Sequence, residues 1–147
     1  MKKLMLSAIA LTTVVAISSC QQKAKDVENN PQELSAKAIE VHDEIMPQIS
    51  TFDKHTVVID SLLTNLAVLK TDNPTLDTVA TRTELSTLKD NLEQATDKMM
   101  VWMHEYTTDS TDTEYQKAEI KRISDLKTEF EKVTSDANRI LAPFTKK

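Results

Sequence analysis

No glycine occurs in the 147 residues of this chain. Glycine enters left-handed backbone without a Cβ clash. Its absence therefore removes phosphate-cradling loops, the dinucleotide-binding fingerprint and the G-x-S-x-G nucleophile elbow. Tight primed hairpin turns lose their usual residue as well. A chain with long periodic apolar segments is then left with helices joined by short polar turns. The single cysteine, Cys20, excludes an internal disulfide and a cysteine-based zinc site.

Three stretches carry helical periodicity. Asn30-Pro31-Gln32-Glu33 predicts a helix start, with Asn as the cap, Pro at the first helical position and Glu at the third. From there Ala38, Val41, Ile45, Gln48, Phe52, His55, Ile59, Leu62, Leu66 and Leu69 step by threes and fours, a heptad stripe that runs to Lys70. Pro47 lies inside it and predicts a kink or the end of a short first piece, because it lacks an N–H and clashes one turn back. His55, alone in the middle of the stripe, reads as a hydrogen-bonded core histidine. Thr71-Asp72-Asn73-Pro74 is a turn, and a second helix starts near Pro74 or a few residues later, with Thr81 and Glu84 as a candidate capping box. Its stripe is Leu85, Leu88, Leu92, Ala95, Met99, Trp102 and Tyr106. Thr107 to Thr113 contains only Thr, Asp and Ser and reads as a loop, with Thr111 and Glu114 as the next capping box. Ile123, Leu126, Phe130, Val133, Ala137, Ile140 and Phe144 form the third stripe, and Pro143 with two lysines closes the chain.

Short connections between long helices make neighbours antiparallel. The expected fold is all-α, an up-down-up antiparallel three-helix bundle over residues 31–147 with coiled-coil-like heptads. Each arm is ~30–40 residues, or roughly 45–60 Å at 1.5 Å per residue. An extended helical hairpin that dimerises is the alternative.

The amino terminus reads as an address. Met1-Lys2-Lys3 is basic, Leu4 to Ile17 is mostly apolar, and Ile17-Ser18-Ser19-Cys20 follows. The apolar run is short for a membrane span and sits where a signal peptide sits. Small residues before a cysteine resemble the bacterial lipobox. That resemblance implies a lipoprotein signal peptide over 1–19, cleavage before Cys20, and acyl chains such as palmitate on the sulfur and the new amino terminus. Such chains anchor a protein stably, since each buried CH₂ contributes about 0.8 kcal/mol. An ordinary signal peptide with an incidental cysteine is the alternative. Residues 21–30 are polar apart from Ala24 and Val27, so 20–30 reads as the lipidated Cys20 and a flexible tether. The expected location is the cell envelope, lipid-anchored to the outer membrane in preference to the inner.

Charge narrows the partners. The chain carries 18 basic and 23 acidic residues, a formal charge of −5. Loss of Lys2 and Lys3 with the signal peptide leaves 16 against 23, or −7. That sign disfavours nucleic acid and electrostatic docking on anionic lipid.

One layer stands out. Antiparallel pairing about the turn near residue 72 sets His42 level with Trp102. His42, Met46, Met99, Met100, Met103 and His104 gather at that level, and Glu119 of the third stripe returns to it. At 100° per residue Met99 lies in the stripe, Met103 and His42 on its flanks, and Met46, Met100 and His104 further outward. The two flanks either face each other or both turn toward the third helix, depending on the hand of the bundle. Thioether and imidazole together suit Cu(I). The same residues also read as Met filling gaps near helix ends, Trp102 capping the core and both histidines solvated. Exposed Met is in addition an adaptable contact surface. Di-iron chemistry is disfavoured, because the Glu-x-x-His pairs it needs do not occur.

The lipobox, His42-Asp43-Glu44-Ile45-Met46-Pro47 and Met99-Met100-Val101-Trp102-Met103 resemble a family of small uncharacterised Bacteroidota lipoproteins, some labelled as viral A-type inclusion proteins. The resemblance implies a helical envelope lipoprotein and brings no activity with it. The family often has Asp between the Met pair and Trp, where this chain has Val101. Asp60-Ser61-Leu62, Asp77-Thr78-Val79 and Asp109-Ser110-Thr111 are similar to O-glycosylation triplets of Bacteroidota envelope proteins, which makes Thr78 and Ser110 the candidate acceptors. The expected function is a non-enzymatic, membrane-anchored helical module acting through an envelope protein partner, without a cofactor. The alternative is a periplasmic Cu(I)-binding protein using the His/Met layer.

Overall fold

The computed structural model describes residues 30–145. The expected signal peptide, Cys20 with its expected lipid and the expected tether up to residue 29 lie outside them. The described residues form an all-α helical bundle with no strand among them. Helix α1 is Pro31–Ile45, a 3₁₀ turn covers Met46–Gln48, α2 is Ile49–Thr64, α3 is Leu66–Asp72, α4 is Thr78–Glu105 and α5 is Thr113–Thr145.

The start of α1 follows the expectation. Asn30 Oδ1 accepts from the N–H of Gln32 at 3.0 Å and of Glu33 at 3.4 Å, and Pro31 needs no donor of its own. Pro47 breaks the first arm. With no N–H to offer one turn back, it ends α1 at Ile45 and forces the 3₁₀ turn before α2. A second break, at Asn65, was not anticipated. Asn65 has φ −100° and ψ 13°, and its Nδ2 donates to Ser61 O at 2.8 Å, competing with the helical ladder. Both breaks leave the heptad in place, since Ala38, Ile45, Phe52, Ile59 and Leu66 are all buried.

Two caps differ from the expected ones. Asp77, not Thr81, caps α4, with Oδ1 accepting from Val79 N–H and Ala80 N–H at 3.0 Å each. Asp112, not Thr111, caps α5, accepting from Glu114 N–H at 2.9 Å and Tyr115 N–H at 3.2 Å. In each case the carboxylate is the stronger acceptor for N-terminal N–H groups and gains from the helix dipole. The turn before α4 is tied by Asn73 Oδ1, which accepts from the N–H and hydroxyl of Thr75. Lys70 Nζ closes it by donating to the carbonyls of Pro74 and Leu76 at 2.7 Å each. No described residue has positive φ, so side chains hold the turns that glycine would otherwise make. Helix α5 continues through Pro143 to Thr145.

Cross-links between elements give their directions. Between α4 and α5, Glu105 meets Arg122, Lys98 meets Glu129 and Glu84 meets Arg139, so one number falls as the other rises. Asp60 of α2 meets Lys89 of α4 at 2.7 Å, and Ser35 of α1 donates to Thr108 O beyond the end of α4. Toward α5 the first arm runs parallel, with Glu44 to Lys127 at 2.6 Å and Gln48 to Thr134 at 2.9 Å. The last bond explains the polar Gln48 in an apolar stripe. The Phe52 and Phe130 rings meet at 4.9 Å in the core. No described helix is long and apolar enough to cross a membrane.

Candidate functional site

The expected level of His42 and Trp102 is a direct contact. Their rings stack at 5.7 Å and 25°. The stack continues from Trp102 to Tyr106 at 4.6 Å and from Tyr106 to Tyr115 at 6.4 Å. The cross-links also decide between the two arrangements of the flanks. Glu44 and Gln48 occupy the side of the first arm that bonds α5, and Lys98 and Glu105 occupy the side of α4 that bonds α5. At 100° per residue His42 and Met46 lie across the stripe from Glu44, and Met103 lies across the stripe from Lys98 and Glu105. The His42 and Met103 flanks therefore both lie on the sides of their helices away from α5, and the His42–Trp102 ring stack spans from α1 to α4. Asp60 and Lys89, on the same two flanks further along, are hydrogen-bonded.

Within that interface His42 is held by its neighbour. Its Nδ1 lies 2.9 Å from Asp43 Oδ1, while Nε2 is buried without a hydrogen-bond partner. Met46 N–H donates to His42 O, so the helical i,i+4 geometry of this pair survives up to the break at Pro47. Met46 was expected to point outward; it packs partly buried against the core, because its flank faces α4. Met99 is fully buried. Met100 is 47% exposed, Met103 43% exposed, and His104 is exposed.

The seven candidate ligands do not meet at one point. Glu119 is buried as its stripe position required, but Arg122 Nη1 donates to its two oxygens at 3.0 and 3.3 Å. Arg122 Nη2 also donates to Glu105 at 2.7 Å. Those two bonds, Glu105 first, hold the guanidinium above its ordinary pKa. Among the described residues no three His, Cys, Asp or Glu side chains gather to hold a metal.

Beside the stack lies a polar lock that the sequence reading missed. The Tyr106 hydroxyl lies 2.8 Å from Gln116 Oε1 and 2.9 Å from Ser35 Oγ, one proton serving both acceptors. Ser35 donates to Thr108 O at 2.8 Å. Gln116 Nε2 donates to the carbonyls of Thr107 and Ser110, and Thr107 N–H donates to the Tyr115 hydroxyl at 2.7 Å. The lock fastens the loop between α4 and α5 to the start of α1. Burial pushes the Tyr106 phenol above its ordinary pKa, against the Ser35 hydrogen bond. Gln116 was findable, since it extends the third heptad one repeat before Ile123. Arg122 stands three residues after Glu119, the spacing of a helical ion pair.

His55 corrects an expectation. It is half-buried, and its buried Nδ1 has no hydrogen-bond partner. Desolvation lowers its pKa below the ordinary 6.5. Of the glycosylation candidates, Thr78 is the half-exposed first residue of α4, and Ser110 is half-exposed in the loop as expected.

On the other side of Trp102 a groove of about 410 Å³ runs between α4 and α5. Val101, Trp102 and Leu126 supply its apolar lining, and Asp97, Lys98, Arg122, Asp125 and Glu129 its charged lining. Comparison of the chain with protein-family models, curated proteins and solved structures finds no match.

Proposed function

We propose that this protein is a non-enzymatic envelope lipoprotein, anchored through Cys20, whose helical module acts through contact with an envelope protein. The carrying observation is the groove beside Trp102. It combines apolar residues with charged ones of both signs, the composition of a protein interface with an apolar centre and a polar rim. Arg122, exposed at the rim of the groove, is a residue type that concentrates binding energy at such surfaces, and the buried Trp102 forms its floor. Val101 is 50% exposed and Met100 47%, extending apolar surface out of the groove.

Two further observations support a non-enzymatic role. The buried carboxylate of Glu119 is committed to Arg122, and burial moves the Tyr106 phenol away from a nucleophilic phenolate. The anchor reading rests on the basic, apolar and Ser18-Ser19-Cys20 pattern of the amino terminus. The module is read as an up-down-up antiparallel three-helix bundle, with α1 to α3 as one interrupted arm. The opposed pairing of α4 with both other arms supports this, as does the parallel pairing of Glu44 with Lys127 and Gln48 with Thr134.

A photo-crosslinking residue at position 101 in living cells tests the contact. It is expected to trap one envelope protein as a discrete adduct. The same residue at Val79, 76% exposed at the opposite end of α4, is expected to trap none. Equal labelling from both positions, or none from position 101, overturns the reading. Mass spectrometry of the amino-terminal peptide tests the anchor. An acylated Cys20 at the mature terminus is expected, and an unmodified Cys20 in an uncleaved chain refutes it.

A further inference from the structure

We propose that His42, Met46 and Met103 form a Cu(I) site between α1 and α4, with Asp43 as the positioning residue for the imidazole. The observation behind this is the unequal state of the two His42 nitrogens. Nδ1 is engaged by Asp43 at 2.9 Å, which selects the tautomer that carries its proton on Nδ1. Nε2 then presents a lone pair that is buried and has no donor. A buried polar atom without a partner costs free energy, about 1–3 kcal/mol, so one that persists calls for a ligand or a function. Carboxylate on one ring nitrogen and a free lone pair on the other is the arrangement of a metal-binding histidine, in which the outer partner orients the ring and raises its basicity.

The surroundings select the ion. Met46 is one helical turn from His42 on the same flank, and the Met46 N–H to His42 O bond keeps them in α-helical register. Met103 follows Trp102, which stacks on His42, and lies on the flank of α4 away from α5. Both residues have mobile, unbranched side chains with a polarizable sulfur. Nitrogen with two thioethers is a soft donor set, suited to Cu(I) and poor for Zn(II), Mg(II) or Ca(II). No third His, Cys, Asp or Glu completes a harder site among the described residues. Met103, 43% exposed, supplies the entry path from solvent. The site lies across Trp102 from the groove lined by Val101 and Leu126, so it stands or falls independently of the contact proposed there.

The sole tryptophan reports on the site, because its ring stacks on His42 at 5.7 Å. The experiment titrates the whole reduced protein, isolated with detergent, with Cu(I) against a chromophoric Cu(I) chelator while following Trp102 emission. One equivalent is expected to bind with quenching. Met46→Leu with Met103→Leu, near volume-conserving changes, is expected to weaken binding at least tenfold with the helical circular dichroism intact. His42→Gln is expected to abolish the quenching, and if that variant unfolds the leucine pair decides. Met100→Leu, His104→Gln and Cys20→Ser are expected to bind as the parent does. The proposal is overturned by absence of binding in competition with the chelator or by full binding in the leucine pair. Loss of binding in any of the three control variants overturns it too.

Discussion

His55 occupies an inward position of α2 without the hydrogen bond that its place in the stripe predicted, and this has a pH consequence. Its folded pKa lies below the ordinary 6.5 because burial disfavours the imidazolium. Between the lowered folded value and 6.5 the unfolded chain binds more protons than the folded one. The contribution of the neutral ring is thus present above pH 6.5 and is lost as the pH falls through that window. Thermal midpoints of the parent and of His55→Gln should therefore converge as the pH is lowered from 7 toward 5, an interval set on the order of the ordinary histidine range. Parallel curves would show that His55 titrates alike in both states. Tyr106 makes a different test. Tyr106→Phe leaves the buried Gln116 Oε1 without its phenolic donor while keeping the ring stack. Denaturant unfolding should show a loss of roughly 1–3 kcal/mol. A smaller change would mean that water replaces the phenol. At this scale sequence reading found the odd residues, Gln48, His55 and Glu119, because each breaks a heptad. It did not find Thr134, the partner of Gln48, because a partner on another arm depends on which flanks face which, whereas Arg122 stands at helical ion-pair spacing from Glu119 and was findable.

Helices α4 and α5 were legible almost residue by residue, since Leu85, Leu88, Leu92, Ala95, Met99 and Trp102 are all buried, and so are Ile123 to Ile140 of the third stripe. Periodicity reports burial directly, so it survives local irregularity. The first arm shows this best, because Ile45, Phe52, Ile59 and Leu66 stay inward across the breaks at Pro47 and Asn65. Helix starts were less legible. Thr81 and Thr111 match a capping box, yet Asp77 and Asp112 hold the first N–H groups. Several candidate caps crowd a turn rich in Thr and Asp, and the spacing rule does not rank them. Mutation separates the candidates. Asp77→Ala should cost about 1 kcal/mol of unfolding free energy, as a lost cap does. Thr81→Ala, inside the first turns of α4, should change it by less than about 0.5 kcal/mol. Equal losses from the two substitutions would return the cap to Thr81.

The molecule as a whole has two unlike ends. The start of α1, the end of α4 and the start of α5 are tied together by the Ser35, Tyr106 and Gln116 lock. The far end holds the Lys70-bound turn before α4. With Cys20 as the anchor, the polar segment up to Asn30 attaches to the locked end. The covalent reach of that segment is no more than about 36 Å. Helix α4 has 28 residues and so runs ~42 Å. Val101 belongs to the near end and Val79 to the far one, and both are exposed. An acylated Cys20 has no free thiol, so Val101→Cys or Val79→Cys each gives one labelling site. In vesicles carrying a lipid-borne acceptor, energy transfer from a dye at position 101 should exceed that from position 79. The net negative charge of the chain sharpens this, because anionic lipid repels the bundle from lying flat. Replacing neutral lipid with anionic lipid should then lower transfer from position 79 more than from position 101. Equal transfer from the two positions would mean a bundle lying along the membrane. That geometry would bury the groove beside Trp102 or the His42 flank against lipid instead of presenting them to a partner or to a metal ion.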